Sequence, residues 1–285
     1  MSGVWTLARY TITECARRRI FIVVPIVSIA FLVLYWLGIH FAFETVGGVT
    51  RQDGGVVDQR ALVGATLVGL ALFAELFFGA VLAVFLTFNT VRGDAETGLL
   101  QTIVVRPVGR SSVLMGRFLG AGILCGSYVL VMYLVTVLLT GLTGDWWPSP
   151  FLLPGLALVG AVLVIIVLTI LGSVYLNAIP NGIVVLMLYL AGLIGGLLRQ
   201  IGQALDLTKL STTGKIMGYV VPFEALYQSG LNYLTSSLSG FSRVIVQLGP
   251  FGGAQAGGIA LWAYGLGYVI LLGLAALRAF ERRDL

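Results

Sequence analysis

Charge is what this sequence has least of. Asp, Glu, Lys and Arg make up 10% of the 285 positions, against 58% apolar residues and a mean hydropathy of +1.01, where a soluble domain keeps about 25% charge. A water-soluble fold is excluded, and an integral membrane protein is left. Cysteine is almost as scarce. Cys15 stands beside an arginine cluster and Cys125 inside an apolar run, so neither a disulfide framework nor a zinc spacing exists. His40 is the sole histidine, and with five scattered methionines there is no constellation for haem or copper. No cofactor or metal is therefore expected. Gly214-Lys215 is followed by Ile216 and lacks the glycine five positions earlier that a phosphate-cradling loop needs. No serine, histidine and acid triad can be assembled around His40 either. The chain is not expected to be an enzyme.

The 17 basic residues exceed the 12 acidic ones by five. They cluster at the ends of apolar runs rather than on one face, which points to lipid head groups and not to nucleic acid. Residues 4–19 form an amphipathic pattern, with Val4, Trp5, Ala8, Ile12, Cys15 and Ala16 on one side and Arg9, Thr13, Glu14 and Arg17 on the other. This predicts an interfacial helix in which Glu14 pairs with Arg18. The apolar run that follows has no small-residue cleavage site and is expected to remain as an anchor.

Six runs meet the length of about 20 apolar residues per crossing: 20–43, 61–88, 113–140, 151–176, 182–198 and 258–280. The predicted fold is an all-α transmembrane domain occupying residues 1–285, with both termini cytoplasmic. Arg9, Arg17, Arg18, Arg19, Arg92, Arg106, Arg110, Arg117, Arg278, Arg282 and Arg283 then lie inside, in keeping with the positive-inside rule. Residues 44–60 read as a solvated loop, and 177–181 as a short turn with Pro180 as the breaker. The stretch 199–257 reads either as an external loop or as re-entrant and interfacial helices over 216–227 and 241–251.

Glu75 is the one ionisable residue near the centre of a run. An ionised carboxylate there costs on the order of 3 kcal/mol, so it must face protein or water. Two roles stay open: a carboxylate on a translocation or proton path, and a hydrogen-bonded packing residue. Glycine pairs at 116/120, 122/126 and 192/196 suit close helix approach, with packing within the chain the favoured use.

Residues 89–117, NTVRGDAETGLLQTIVVRPVGRSSVLMGR, form a polar island between two apolar runs. Asp94 is placed to cap a short helix with Glu96 in its first turn. Leu99, Leu100, Ile103 and Val104 recur at helical spacing, and Pro107 ends the pattern. A helix over 94–104 with an apolar stripe and flanking Arg106 and Arg110 fits a groove on a partner, or lies on the inner leaflet.

These features resemble permeases of the ABC transporter type-2 exporter family. The likeness is carried by the amino-terminal elbow helix, by Glu96-Thr97-Gly98-Leu99-Leu100 with Pro107-Val108-Gly109-Arg110, by Pro222 to Tyr227, and by the ending Phe280-Glu281-Arg282-Arg283-Asp284-Leu285. Arg117 and Gly109 depart from the family's more usual lysine and serine. The resemblance implies a six-span subunit in the cytoplasmic membrane that pairs with a second permease subunit, identical or different. It also implies a separate nucleotide-binding ATPase subunit, docked at Asp94, Glu96, Leu99, Leu100, Ile103, Arg106 and Arg110. The rival readings are a membrane scaffold or assembly factor and a proton-coupled carrier using Glu75.

Overall fold

In water, a run such as Val164-Ile165-Ile166-Val167 reads as a strand, because β-branched side chains suit extended backbone. In hydrocarbon each N–H and C=O must be paired within its own segment, so the same residues form helix. The structure is a computed structural model that describes residues 2–16, 20–45, 50–52, 55–57, 59–90, 110–236 and 257–282. Its helices are α1 (Ser2–Ala16), α2 (Ile20–Thr45), α3 (Gln59–Thr87), α4 (Arg110–Gly144), α5 (Leu153–Tyr175), α6 (Ala178–Ala204), α7 (Thr208–Val220), α8 (Phe223–Thr235) and α9 (Ile259–Glu281). Six of them, α2 to α6 and α9, are long and apolar enough to cross a membrane. Each of the six apolar runs lies on one of these helices, and the chain is a multi-pass membrane protein.

The connection expected to be a plain solvated loop instead contains a small antiparallel hairpin, β1 (Thr50–Gln52) paired with β2 (Gly55–Val57). Pro180 does not break the chain as expected. The break falls at Leu176 and Asn177, and Pro180 sits in the first turn of α6, where the missing N–H would have had no helical acceptor.

Helix α5 forms the middle of the bundle. Ala157, Leu158, Ala161, Val162, Ile165 and Ile166 are buried, and the helix packs against α3, α4, α6, α8 and α9. Helices α2 and α9 are peripheral: α9 buries only Gly265, Ala276 and Phe280, and α2 turns Ile22, Ile26, Ile29, Val33 and Leu34 outward.

Lipid tails are as apolar as leucine, so helix pairing in a membrane depends on close approach and polar contacts. The glycine pairs supply the approach inside this chain. A Cβ at Gly122 would stand 3.1 Å from Leu163 and one at Gly126 3.3 Å from Val159, both on α5, while one at Gly120 would stand 2.8 Å from Thr11 on α1. Helix α1 thus rests on α4 through Ala8, Thr11 and Ile12. Trp5, expected on the same side as Ala8, is 64% exposed. The protein-facing stripe is centred on Ala8 and Thr11 because Gly120 accepts only small side chains. The expected Glu14–Arg18 pair involves Arg18, which lies outside the described residues.

The region after α6 is a helical hairpin. Gly202 faces Ser211, Gly195 faces Met217 and Gly192 faces Phe223, so α7 runs back alongside α6. Asp206, at φ 56°, turns the chain, and the Leu207 N–H donates to the Gly202 carbonyl at 2.8 Å, a helix-ending pattern in which aspartate tolerates the left-handed conformation. Pro222 interrupts the apolar segment 216–227, dividing it between the end of α7 and the start of α8. Helix α8 returns to its starting end, where the Ser236 hydroxyl donates to the Ser149 carbonyl at 3.1 Å. The hairpin therefore enters and leaves the bundle by one end, reaching about 20 Å along α6 at about 1.5 Å per residue. The second expected segment, 241–251, lies outside the described residues.

Candidate functional site

Of the predicted docking residues, Asp94, Glu96, Leu99, Leu100, Ile103 and Arg106 lie outside the described residues, and Arg110 opens α4. What the structure does place is the base of that segment. Helix α3 ends at Thr87, and the following turn is closed by the Thr90 hydroxyl, which donates to the Thr87 carbonyl at 2.6 Å. Asn181, fully buried in the first turn of α6, donates its amide to the Phe88 carbonyl at 3.1 Å and to the Thr169 carbonyl at 3.0 Å. One side chain thus ties the end of α3 to α5 and α6. Gly172 makes room for it, because a side chain there would collide with the Asn181 carbonyl oxygen. Sequence reading passed over Asn181 as part of a turn. The available signal was an amide flanked by two long apolar runs, a costly placement unless its hydrogen bonds are met.

Glu75 lies fully buried in α3, where Thr136 of α4 donates its hydroxyl to Oε1 at 2.6 Å. Oε2 has no hydrogen-bond partner among the described residues. One turn along α4, the Thr140 hydroxyl donates to the Thr136 carbonyl at 2.9 Å and is itself bonded to the Tyr35 hydroxyl of α2 at 2.7 Å. Because the threonine proton is committed to Thr136, Tyr35 donates to Thr140. Ser28 of α2 bonds Tyr128 of α4 farther along the same seam. The three helices α2, α3 and α4 are therefore joined by a polar ladder. Glu75 does not line the cleft of about 370 Å³ that Ser28 and Tyr128 flank.

A second buried carboxyl was missed. Glu224, 4% exposed in the first turn of α8, accepts the amide of Gln228, which is itself fully buried. Both fit against Gly196, while the Phe223 ring fills the space left by Gly192 and stacks on Tyr189 with centroids 5.1 Å apart. The 192/196 pair is therefore the socket for the first turn of α8. Arg199, on the same face of α6, acts electrostatically on the Glu224 carboxylate. The guanidinium Nε, the Gln228 amide oxygen and the hydroxyls of Tyr189, Tyr227 and Ser229 are buried without hydrogen-bond partners among the described residues. Glu224 with Gln228 at i+4 is the signal the sequence carries, half-hidden because Glu224 lies inside the Pro222 to Tyr227 motif and Gln228 just beyond it. Chemically, the cluster can hold a carboxyl and a guanidinium inside an apolar bundle and still has donors and acceptors to offer.

No family model matches the chain. Sequence similarity does extend to the probable ABC transporter permease protein NosY of Stutzerimonas stutzeri, 26% identical over 132 residues, which are 46% of this chain and 43% of that protein. The probable ABC transporter permease protein NosY of Pseudomonas aeruginosa is 28% identical over 131 residues, again 46% of this chain and 43% of that protein. The similarity takes in less than half of this chain and less than half of each relative. Distant relatives of this chain are thus ABC transporter permeases.

Proposed function

We propose that this chain is the membrane-spanning permease subunit of an ATP-driven exporter of the ABC type-2 kind. It pairs with a second permease subunit and with separate nucleotide-binding subunits, and moves a substrate across the cytoplasmic membrane by alternating access. The observation that carries this reading is the coincidence of two features: similarity to ABC permeases and six helices able to cross a membrane. In the proposed arrangement both termini are cytoplasmic, α1 is the elbow helix, and α7 and α8 are re-entrant from the outer side.

Residues 94–104 then form the coupling helix. Leu99, Leu100 and Ile103 fill a groove on the ATPase subunit, held at its ends by Asp94, Glu96, Arg106 and Arg110. Closure of the nucleotide-binding subunits moves this helix, and Asn181, which grips the carbonyl of Phe88 just before it, passes the movement to α5 and α6. Glu75, enclosed by the polar ladder, serves as a packing residue in this reading.

The test begins with a tagged chain, from which an ATPase should co-purify. In the double variant R106E/L100A, membrane insertion should be retained while ATP hydrolysis no longer drives transport. Unchanged assembly and transport in that variant would sink the proposal.

A further inference from the structure

One opening in the described residues is not lined by Glu75 and carries basic side chains of its own. It is a cavity of about 570 Å³ between the end of α6, the hairpin helix α7 and the start of α9. Its lining is chemically two-sided. Arg199 and Lys215 bring two cations, and no carboxylate lines it among the described residues. The buried Arg199 Nε has no hydrogen-bond partner there. Glu224 acts on Arg199 from behind, but its Oε1 is engaged by Gln228. Lys215 is exposed and forms no salt bridge among the described residues. At least one positive charge is therefore uncompensated.

The rest of the lining is largely apolar: Ala225, Leu261 and the rings of Tyr219, one turn beyond Lys215 on α7, and Tyr264, which meet edge to face with centroids 6.1 Å apart. Next in sequence to the lining residues Lys215, Tyr219 and Gly258, the side chains of Ile216, Val220 and Ile259 are 58%, 58% and 89% exposed. Such side chains at the margin of a membrane bundle lie among acyl chains. An occupant must therefore carry an oxyanion for Arg199 and Lys215 and an apolar body that continues into lipid. Basic pockets between membrane helices recognise head groups of that kind.

We propose that this cavity is a binding site for an acidic phospholipid, whose phosphate lies at Arg199 and Lys215 and whose acyl chains leave past Tyr219, Val220 and Ile259. The lipid wedges the hairpin against the last span. Among the described residues, α7 is tied to α9 by two tyrosines, Tyr264 donating to the Tyr219 carbonyl at 2.5 Å and Tyr268 to the Val220 carbonyl at 2.7 Å, and α8 by Trp262 Nε1–H donating to the Tyr233 hydroxyl at 3.4 Å. The proposal needs no ATPase partner and stands apart from the transport reading.

The experiment places the full chain in nanodiscs of mixed phosphatidylglycerol and phosphatidylcholine and identifies the lipids retained on release by native mass spectrometry. Two basic contacts lead to an expected preference of roughly thirtyfold for phosphatidylglycerol in the native chain. R199Q/K215Q should abolish it, R199K/K215R should retain it, and R278Q, at the other end of α9, should leave it unchanged. Should R199Q disturb folding around Glu224, G218L provides an independent check. A side chain at Gly218 meets nothing within 4 Å and enters the cavity, so the variant should fold, keep both cations and lose the bound lipid. Equal retention of the two lipids by the native chain, or a preference that survives both R199Q/K215Q and G218L, would overturn the proposal. So would a rise in thermal midpoint with millimolar inorganic phosphate in phosphatidylcholine alone that matches the rise with phosphatidylglycerol, since the ligand would then be a soluble oxyanion.

Discussion

Asn181 gives one amide to two carbonyls on different helices, and its worth follows from what a substitution leaves behind. N181L removes the amide from the Phe88 carbonyl and from the Thr169 carbonyl, which keeps its helical partner, and N181D keeps the shape while losing the donor. Hydrogen bonds between membrane helices are worth about 0.6 to 2 kcal/mol, so both variants should lower the thermal midpoint in detergent by a similar amount. A midpoint equal to the native chain's in both would show that the clamp contributes nothing. Glu75 differs in kind. E75Q keeps an acceptor for the Thr136 hydroxyl, so its stability should stay within about 1 kcal/mol of the native chain's, and ATP-linked transport should persist. Transport that continues without ATP and disappears in E75Q would instead establish the proton-coupled carrier. Glu75 was legible in the sequence because a single carboxyl in a long apolar run stands out. Asn181 and Glu224 were not: the partners of Asn181 lie 93 and 12 residues away, and Glu224 sits inside the Pro222 to Tyr227 motif with its partner Gln228 just past the end of it.

At the scale of elements, the six spans could be read from composition because the bilayer imposes its length requirement on each run separately. The hairpin could not. Its placement depends on three glycines of α6 that admit Ser211, Met217 and Phe223, a tertiary match that no periodicity announces. That match is directly testable. A Cβ at Gly195 would stand 2.7 Å from the Met217 Cβ, so cysteines at these two positions, with Cys15 and Cys125 replaced, reach the Cβ separation of a disulfide after α7 shifts by about 1 Å and should cross-link with a short thiol reagent. Cysteines at Gly195 and Ile216 should not, since Ile216 is turned outward. Equal rates would mean that α7 does not lie against α6 as described. G192L should displace Phe223 and raise protease sensitivity at the α7–α8 junction, since the ring stands 2.6 Å from where a Cβ would be.

For the whole molecule, the question is which end of the bundle faces which side. Six crossings put both termini together, and the hairpin at the end opposite the α5–α6 turn. Thr212 is exposed on α7, and a cysteine there should react with a membrane-impermeant maleimide added outside intact cells. Labelling only after permeabilisation would reverse the orientation drawn from the arginine distribution.

Helix α4 has a further consequence at this scale. Its 35 residues extend about 52 Å at about 1.5 Å each, well beyond a hydrocarbon layer of about 30 Å. Even tilted by about 30° it covers roughly 45 Å along the membrane normal, so about 15 Å of it stands clear of the hydrocarbon layer, with α1 resting on it at Gly120. Such a rod is a lever arm: rocking it by about 5° moves its far tip by roughly 4 to 5 Å over that length. A displacement of ångströms at one surface of the membrane can thus be delivered at the other without bending, unwinding or repacking the helix in between.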